Sequence, residues 1–139
     1  MDMSKNDTCF DLGEVGQFQP HAKYHHGLDM VIYLAEDCTY TSEPVDGFLT
    51  IFWHPSRERA IGVKLKGFRH TFLKLKAKNG WSEDSFLPLI EFIEAALASG
   101  VGDEIMREEE RRRKYEVARR LTAQIGLPPD QVREIVRAA

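Results

Sequence analysis

The chain has 139 residues, a length typical of one domain or of one domain with an extension. Hydrophobic residues make up 42% of it and charged residues 29%, a composition ordinary for a soluble globular protein. The formal net charge of −3 excludes a strong overall attraction to nucleic acid or to an anionic membrane, and no apolar run is long enough to span a bilayer.

The N-terminal residues predict an irregular start to the chain. Residues 1–20 are polar, are interrupted by glycines and end in Pro20, and they lack the apolar segment of a signal peptide. Cys9 and Cys38 are too few for a disulfide framework. We therefore expect two reduced thiols in a cytoplasmic protein.

The next part of the chain predicts an antiparallel sheet. Residues 29–35 form an apolar run rich in Val, Ile and Tyr, which favours a central strand. Residues 36–46 predict a short edge strand that Pro44 limits. Residues 46–68 hold two apolar runs around a polar loop, which predicts a β-hairpin. Its first strand should place Phe48, Thr50 and Phe52 on one face, and its second should turn Lys64 and Lys66 toward water.

Helices are predicted for most of the remaining chain. Residues 68–78 fit both periods, and the Phe68–Phe72 spacing favours a helix. An apolar stripe predicts a helix over residues 85–98, with Asp84 or Ser85 as its cap. A further helix should begin near Asp103 and end at Gly126, and a short final helix should follow. These elements predict an α+β fold: an antiparallel meander of three to four strands packed by a helix, with a helical C-terminal extension. The predicted divisions are an irregular segment (1–20), an α+β body (21–100) and a helical C-terminal arm (103–139).

One pattern within the body is similar to that of a known family. It comprises a tyrosine, an aspartate that opens a strand, a valine-acidic-glycine turn and a glycine-containing aliphatic strand. In this chain its parts are Tyr24, residues 29–34, residues 45–47 and residues 61–65. The span of residues 24–68 thereby resembles a small family of uncharacterised bacterial β-rich domains, although Lys64 and Lys66 depart from the family's pattern. The resemblance implies an antiparallel meander and a bacterial origin, and it implies no activity.

Three sets of residues are candidates for sites. Metal ligands could come from the histidines spaced four apart and their neighbours: His21, His25, His26 and Asp29. Nucleic acid could bind the basic cluster with interleaved aromatic residues: Lys64, Lys66, Arg69, Lys74, Lys76 and Lys78. The C-terminal helices could bind a second copy or a protein partner through their apolar residues: Val117, Leu121, Ile125, Val132, Ile135 and Val136.

No motif in the chain carries a known catalytic mechanism, because phosphate loops, nucleophile elbows and spaced carboxylate pairs are missing from the sequence. The leading interpretation is a non-enzymatic interaction or oligomerisation module, without a cofactor and without a membrane. The alternatives are a nucleic-acid-associated regulator that uses the lysine-rich surface and a small metal-dependent enzyme that uses the histidines.

Overall fold

The computed structural model describes residues 18–100 and 107–137. At its centre lies a five-stranded antiparallel sheet: β1 (His21–His25), β2 (Met30–Leu34), β3 (Thr41–Pro44), β4 (Leu49–Trp53) and β5 (Ala60–Lys66). The spatial order is β1-β2-β5-β4-β3, so β5 is central and β1 and β3 are the edges. The predicted α+β class is confirmed, and the sheet has one strand more than the largest number expected.

The β4–β5 hairpin is confirmed where the sequence predicts it. Ile51 pairs with Val63, and the register shifts by one residue at Phe52 and Trp53. Such a shift is a β-bulge, which increases the local twist and bends the strand. Beyond the bulge, the loop from residue 54 to residue 59 closes the hairpin.

Side chains alternate between two faces of the sheet, which we call the helix face and the outer face. The helix face carries the main core, which includes Tyr24, Val31, Val63 and Leu65. The register of the strands places the following residues on the outer face: His21, Lys23, His25, Met30, Ile32, Leu34, Thr50, Phe52, Gly62, Lys64 and Lys66.

Phe48 lies on the helix face, so the prediction that it shares a face with Thr50 and Phe52 is wrong. Its ring stacks on Phe92, with 6.0 Å between the centroids. The reason is a turn before β4, in which the Asp46 carboxylate accepts the N–H groups of Phe48 and Leu49 at 2.8 and 2.7 Å. This turn redirects the chain, and strand alternation starts only at Leu49.

Four helices of the described residues pack on the helix face: α1 (Phe68–Asn79), α2 (Leu89–Ser99), α3 (Glu108–Leu121) and α4 (Pro129–Arg137). The helical prediction for residues 68–78 is confirmed by α1. Helix α2 starts four residues later than expected and has no side-chain cap, so the prediction of Asp84 or Ser85 as its cap is wrong. The delay arises because β6 (Leu87–Pro88) pairs with β7 (Gly126–Leu127) in a second, two-stranded sheet.

The C-terminal helices dock on the body of the protein. The expected start of a helix near Asp103 lies outside the described residues, and α3 ends at Leu121, before the predicted end at Gly126. The chain leaves the helix early because the Ile125 carbonyl accepts the Leu89 N–H at 2.9 Å and so holds the chain beside α2. The domain boundaries stay a prediction.

A buried ion pair fixes α3 on the sheet. Asp46 has a fully buried carboxylate that accepts Arg111 Nε at 2.8 Å and the Tyr115 hydroxyl at 2.6 Å, in addition to the two backbone bonds of its turn. The Arg111 side chain is 4% exposed. Burial and the hydrogen bond to Asp46 raise the pKa of Tyr115, which therefore stays a neutral donor. The bonds to one carboxylate thus join the turn before β4 to the first half of α3.

A second polar cluster fixes α4. Asp29 accepts the Tyr24 hydroxyl at 2.9 Å and the Arg69 N–H at 2.7 Å. The Arg69 side chain donates to the Ile135 carbonyl at 3.0 Å, near the C-terminal end of α4, where a cation is favoured. At the other end of α4, the Gln131 side chain accepts the Tyr24 N–H at 2.8 Å. Burial, with the Asp29 bond second, raises the pKa of Tyr24 to about 12.

Candidate binding face

The structure does not bring the four predicted metal ligands together. His21 and His25 lie at opposite ends of β1, about 13 Å apart along an extended strand. His26 starts a short 3-10 turn, and the Asp29 carboxylate is occupied by Tyr24 and Arg69. Within the described parts of the chain, these residues do not belong to any group of three or more closely spaced metal-ligating side chains.

A different trio of metal-ligating side chains does converge. Potential ligand atoms of Glu36, Cys38 and His54 lie within 4.8 Å of one another. Each is already engaged: Glu36 binds Arg59 through two 2.7 Å bonds, His54 Nδ1 accepts the Ser56 N–H at 3.1 Å, and Cys38 is disulfide-bonded. The hydrogen bonds from Arg59 lower the pKa of Glu36, as expected for a carboxylate held in an ion pair. As arranged, the trio is not a metal centre.

The disulfide corrects the prediction of two reduced thiols, which is wrong for Cys38. The other cysteine of the chain, Cys9, lies outside the described residues. Cytoplasmic localisation depended in part on the same interpretation and stays a prediction. Two other histidines lie elsewhere: His25 lines a groove on the outer face, and His70 is exposed on α1.

The six predicted nucleic-acid-binding residues divide between two sides of the molecule. Lys64 and Lys66 lie on the outer face and are half-buried. The other four belong to α1, in the helical layer on the opposite side of the sheet: Arg69, Lys74, Lys76 and Lys78. Sequence proximity suggests one surface, but the turn at Gly67, with φ 63°, takes the chain from the sheet into the helical layer. The six residues therefore do not share one face of the sheet.

The six predicted partner-binding residues pack against the protein's own core. Val132 and Ile135 are fully buried in it. The others are partly buried against the same core: Val117, Leu121, Ile125 and Val136. Their apolar surface thus serves mainly to dock α3 and α4 on the body, and binding of a second chain there stays a prediction.

A groove of about 280 Å³ runs along β1 and β2 on the outer face. Lys23 lies opposite Ile32 in the register, and His21 lies opposite Leu34. Tyr40, from the β2–β3 connection, forms one wall; it is 41% exposed and stacks on Phe52 with 4.2 Å between ring centroids. The groove has basic or titratable groups on the β1 side, aliphatic side chains on the β2 side and an aromatic ring at one end. Its lining residues are His21, Lys23, His25, Ile32, Leu34 and Tyr40.

The charged residues that the described strands place on the outer face are all lysines. Lys23, Ile32 and Lys64 are direct neighbours across three strands, so two lysines flank one aliphatic side chain. Lys66 occupies the next position along β5 on the same face. None of the described strand residues on this face is acidic, and the acidic residue of β3, Glu43, binds Lys114 and Trp53 on the helix face. Although the chain has a negative net charge, the described strands contribute no carboxylate to this face.

Two parts of this groove were not predicted from the sequence: its β1 side and Tyr40. The alternation of polar and apolar residues over residues 21–25 predicts a strand with His21, Lys23 and His25 on one face. The spacing of the histidines also fits two ligands on one face of a helix, so the same residues admit a second interpretation as a metal site. Tyr40 could not be found, because its stacking on Phe52 depends on a connection whose course the sequence does not specify.

Comparison of the chain with protein families, with characterised proteins and with solved structures finds no match. The resemblance of residues 24–68 to a bacterial family therefore stays a prediction. Within the described residues, every helix is too short or too polar to cross a bilayer.

Proposed function

We propose that the protein is a non-enzymatic binding module that takes single-stranded nucleic acid on the outer face of its sheet. The observation that carries the proposal is the carboxylate-free row of Lys23, Ile32 and Lys64 beside the groove closed by Tyr40. Lysines that follow a groove neutralise phosphates, and an exposed aromatic ring beside aliphatic side chains offers a platform for a base. Single strands suit this arrangement because their bases are free to stack.

The proposal takes up the nucleic-acid alternative that the sequence offers and moves the binding surface to the outer face of the sheet. The C-terminal helices offer less apolar area than expected, since Val132 and Ile135 are buried in the core. A metal-dependent enzyme has less support than either, because the predicted ligands are apart and Glu36, Cys38 and His54 are engaged with other groups. Bacterial origin, cytoplasmic localisation and self-association stay predictions.

Binding of a fluorescent oligothymidylate, measured by fluorescence anisotropy, tests the proposal. Lys23→Glu/Lys64→Glu should weaken binding by more than tenfold and reduce the slope of log K against log salt by about 1.4, the value for two lost phosphate contacts on a single strand. Tyr40→Ala should weaken binding by about 1–3 kcal/mol if a base stacks on the ring.

The matched control is Lys74→Glu/Lys78→Glu, which makes the same change of charge at exposed positions of α1. It should leave the affinity within about twofold, because interactions beyond a Debye length of about 8–10 Å are screened. Equal losses of affinity in the two double variants would show nonspecific electrostatic attraction and refute a binding site on the outer face. Absence of binding by the unaltered chain would also refute the proposal.

A further inference from the structure

One side of α4 faces away from the core and carries charged residues along its whole length. These residues recur at intervals of three and four, so they lie on one face of the helix, which we call the α4 stripe: Asp130, Arg133, Glu134 and Arg137. Val132 and Ile135 lie on the opposite side and are fully buried in the core. The helix therefore docks on the body through its apolar side and turns the stripe outward.

The α4 stripe borders a groove of about 380 Å³. The groove is lined by the four residues of the stripe and by His26, which belongs to the short turn between β1 and β2. Leu28, in the same turn, is 68% exposed. This part of the surface therefore combines charges of both signs with an exposed aliphatic side chain nearby.

The charges of the α4 stripe are not neutralised within the helix. Its two acidic residues lie four positions apart, and so do its two basic residues, although like charges at this spacing destabilise a helix. Among the described residues, the one ion pair that involves the stripe joins Arg133 Nη1 to Asp84 Oδ1 at 3.6 Å, which is beyond hydrogen-bond distance. In α3, by contrast, Arg112 binds Glu108, four positions earlier, at 2.7 Å. The stripe thus has charges that a partner can pair.

The order of the charges makes the α4 stripe complementary to itself. Along the helix the signs run acidic, basic, acidic, basic. If a second copy of α4 lies antiparallel to the first, about a two-fold axis between positions 133 and 134, Asp130 faces the partner's Arg137. Arg133 then faces the partner's Glu134, and the two-fold axis repeats both pairs. A parallel arrangement in register would instead place each charge opposite its own kind. The sequence of the stripe therefore fits an antiparallel pair of identical helices.

We propose that the α4 stripe is the interface of a symmetric homodimer, in which α4 of one copy lies antiparallel to α4 of the other. The helix is a firm support for such an interface, because Gln131 accepts the Tyr24 N–H and Arg69 donates to the Ile135 carbonyl. One pair of short helices buries less area than a standard interface of about 1,600 Å², so the dimer is weak and forms at high protein concentration. The inference is independent of nucleic-acid binding.

Sedimentation equilibrium of the full-length chain without nucleic acid, at protein concentrations up to about 1 mM, tests the dimer. Raising the salt concentration from about 0.1 M to about 1 M should weaken association by about tenfold, because the Debye length falls from about 10 Å to about 3 Å. Asp130→Arg/Glu134→Arg makes the stripe wholly basic. Arg133→Glu/Arg137→Glu makes it wholly acidic. Each variant alone should associate at least about tenfold more weakly, because every ion pair across the axis becomes a like-charge pair. An equal mixture of the two should form a heterodimer of at least the original affinity.

The matched control is Glu58→Arg/Glu109→Arg, which makes the same change of charge at exposed positions of the hairpin loop and of α3. It should leave the dissociation constant within about twofold. An equal loss in this control, a dimer that survives in both stripe variants, or a mixture that stays monomeric would each overturn the interface. A monomeric unaltered chain, or a dimer indifferent to salt, would overturn it without any variant.

Discussion

Replacing Asp46 with alanine should destabilise the protein more than any surface change. The substitution removes the carboxylate that two backbone N–H groups, Arg111 and Tyr115 share. Arg111 would then be a buried cation without its principal counter-charge, in a side chain only 4% exposed. The Tyr115 hydroxyl would lose its acceptor in the same step.

The expected cost follows from the burial of the pair. Removing one partner of a buried ion pair costs about 3–5 kcal/mol, because the remaining charge is desolvated without compensation. A domain of this size has a total stability of about 5–15 kcal/mol, so Asp46→Ala should remove a large fraction of it. With a urea m-value near 2 kcal/mol/M, the midpoint of unfolding should fall by about 2 M. Arg111→Ala should destabilise the Asp46→Ala variant by about 1–3 kcal/mol less than it destabilises the unaltered protein, because the ion pair is already lost.

Urea unfolding followed by circular dichroism measures the stability of the four proteins in this double-mutant cycle: the unaltered chain, Asp46→Ala, Arg111→Ala and the double variant. Arg112→Ala is the matched control, since it removes an ion pair with Glu108 from the same helix at a side chain 66% exposed. It should change stability by less than about 1 kcal/mol. The reasoning is refuted if Asp46→Ala costs no more than Arg112→Ala, or if the Asp46 and Arg111 substitutions are additive.

Two further predictions concern pH and packing. Tyr24 has a pKa raised to about 12, so the folded state holds its proton more tightly than the unfolded state, and the resulting stability, present below pH 10, should be lost between about pH 10 and 12. In Tyr24→Phe, the fall in the free energy of unfolding between these pH values should be smaller by about 2–3 kcal/mol. An unchanged dependence of the unfolding free energy on pH would contradict the role of Tyr24. Gly62→Ala should cost about 1–3 kcal/mol, because its Cβ would overlap the Tyr33 carbonyl oxygen. Gly27→Ala is the control, since no described atom lies within 4 Å of a Cβ there, and equal unfolding midpoints for the two variants would sink this argument.

Local pattern was sufficient for the elements whose neighbours are close in sequence. The β4–β5 hairpin, the edge strand that ends at Pro44 and helix α1 all follow from alternation, turn residues and i, i+4 spacing. The strand β1 carries the same signal in its alternating polar and apolar residues. The histidine spacing in the same segment also fits a metal site, and the sequence does not show which of the two signals the fold uses.

Long-range contacts account for what the sequence could not predict. The start of α2 depends on Leu87 pairing with Leu127, 40 residues later, and no local signal specifies that partner. Asp46 is an ordinary turn residue until α3 brings Arg111 to it, 65 positions along the chain. The separation of Lys64 and Lys66 from the lysines of α1 likewise depends on the sheet lying between them. Each case is set by tertiary packing, which overrides local preference.

The Gln131 side chain that accepts the Tyr24 N–H has a consequence for behaviour at high concentration. Unpaired N–H and C=O groups on an outermost strand are templates on which another chain can add a strand and start a fibril. Here Gln131 occupies one such donor on β1, and Pro44 on β3 has no amide hydrogen to offer. Each edge strand thereby offers one amide donor fewer to a strand added by another chain.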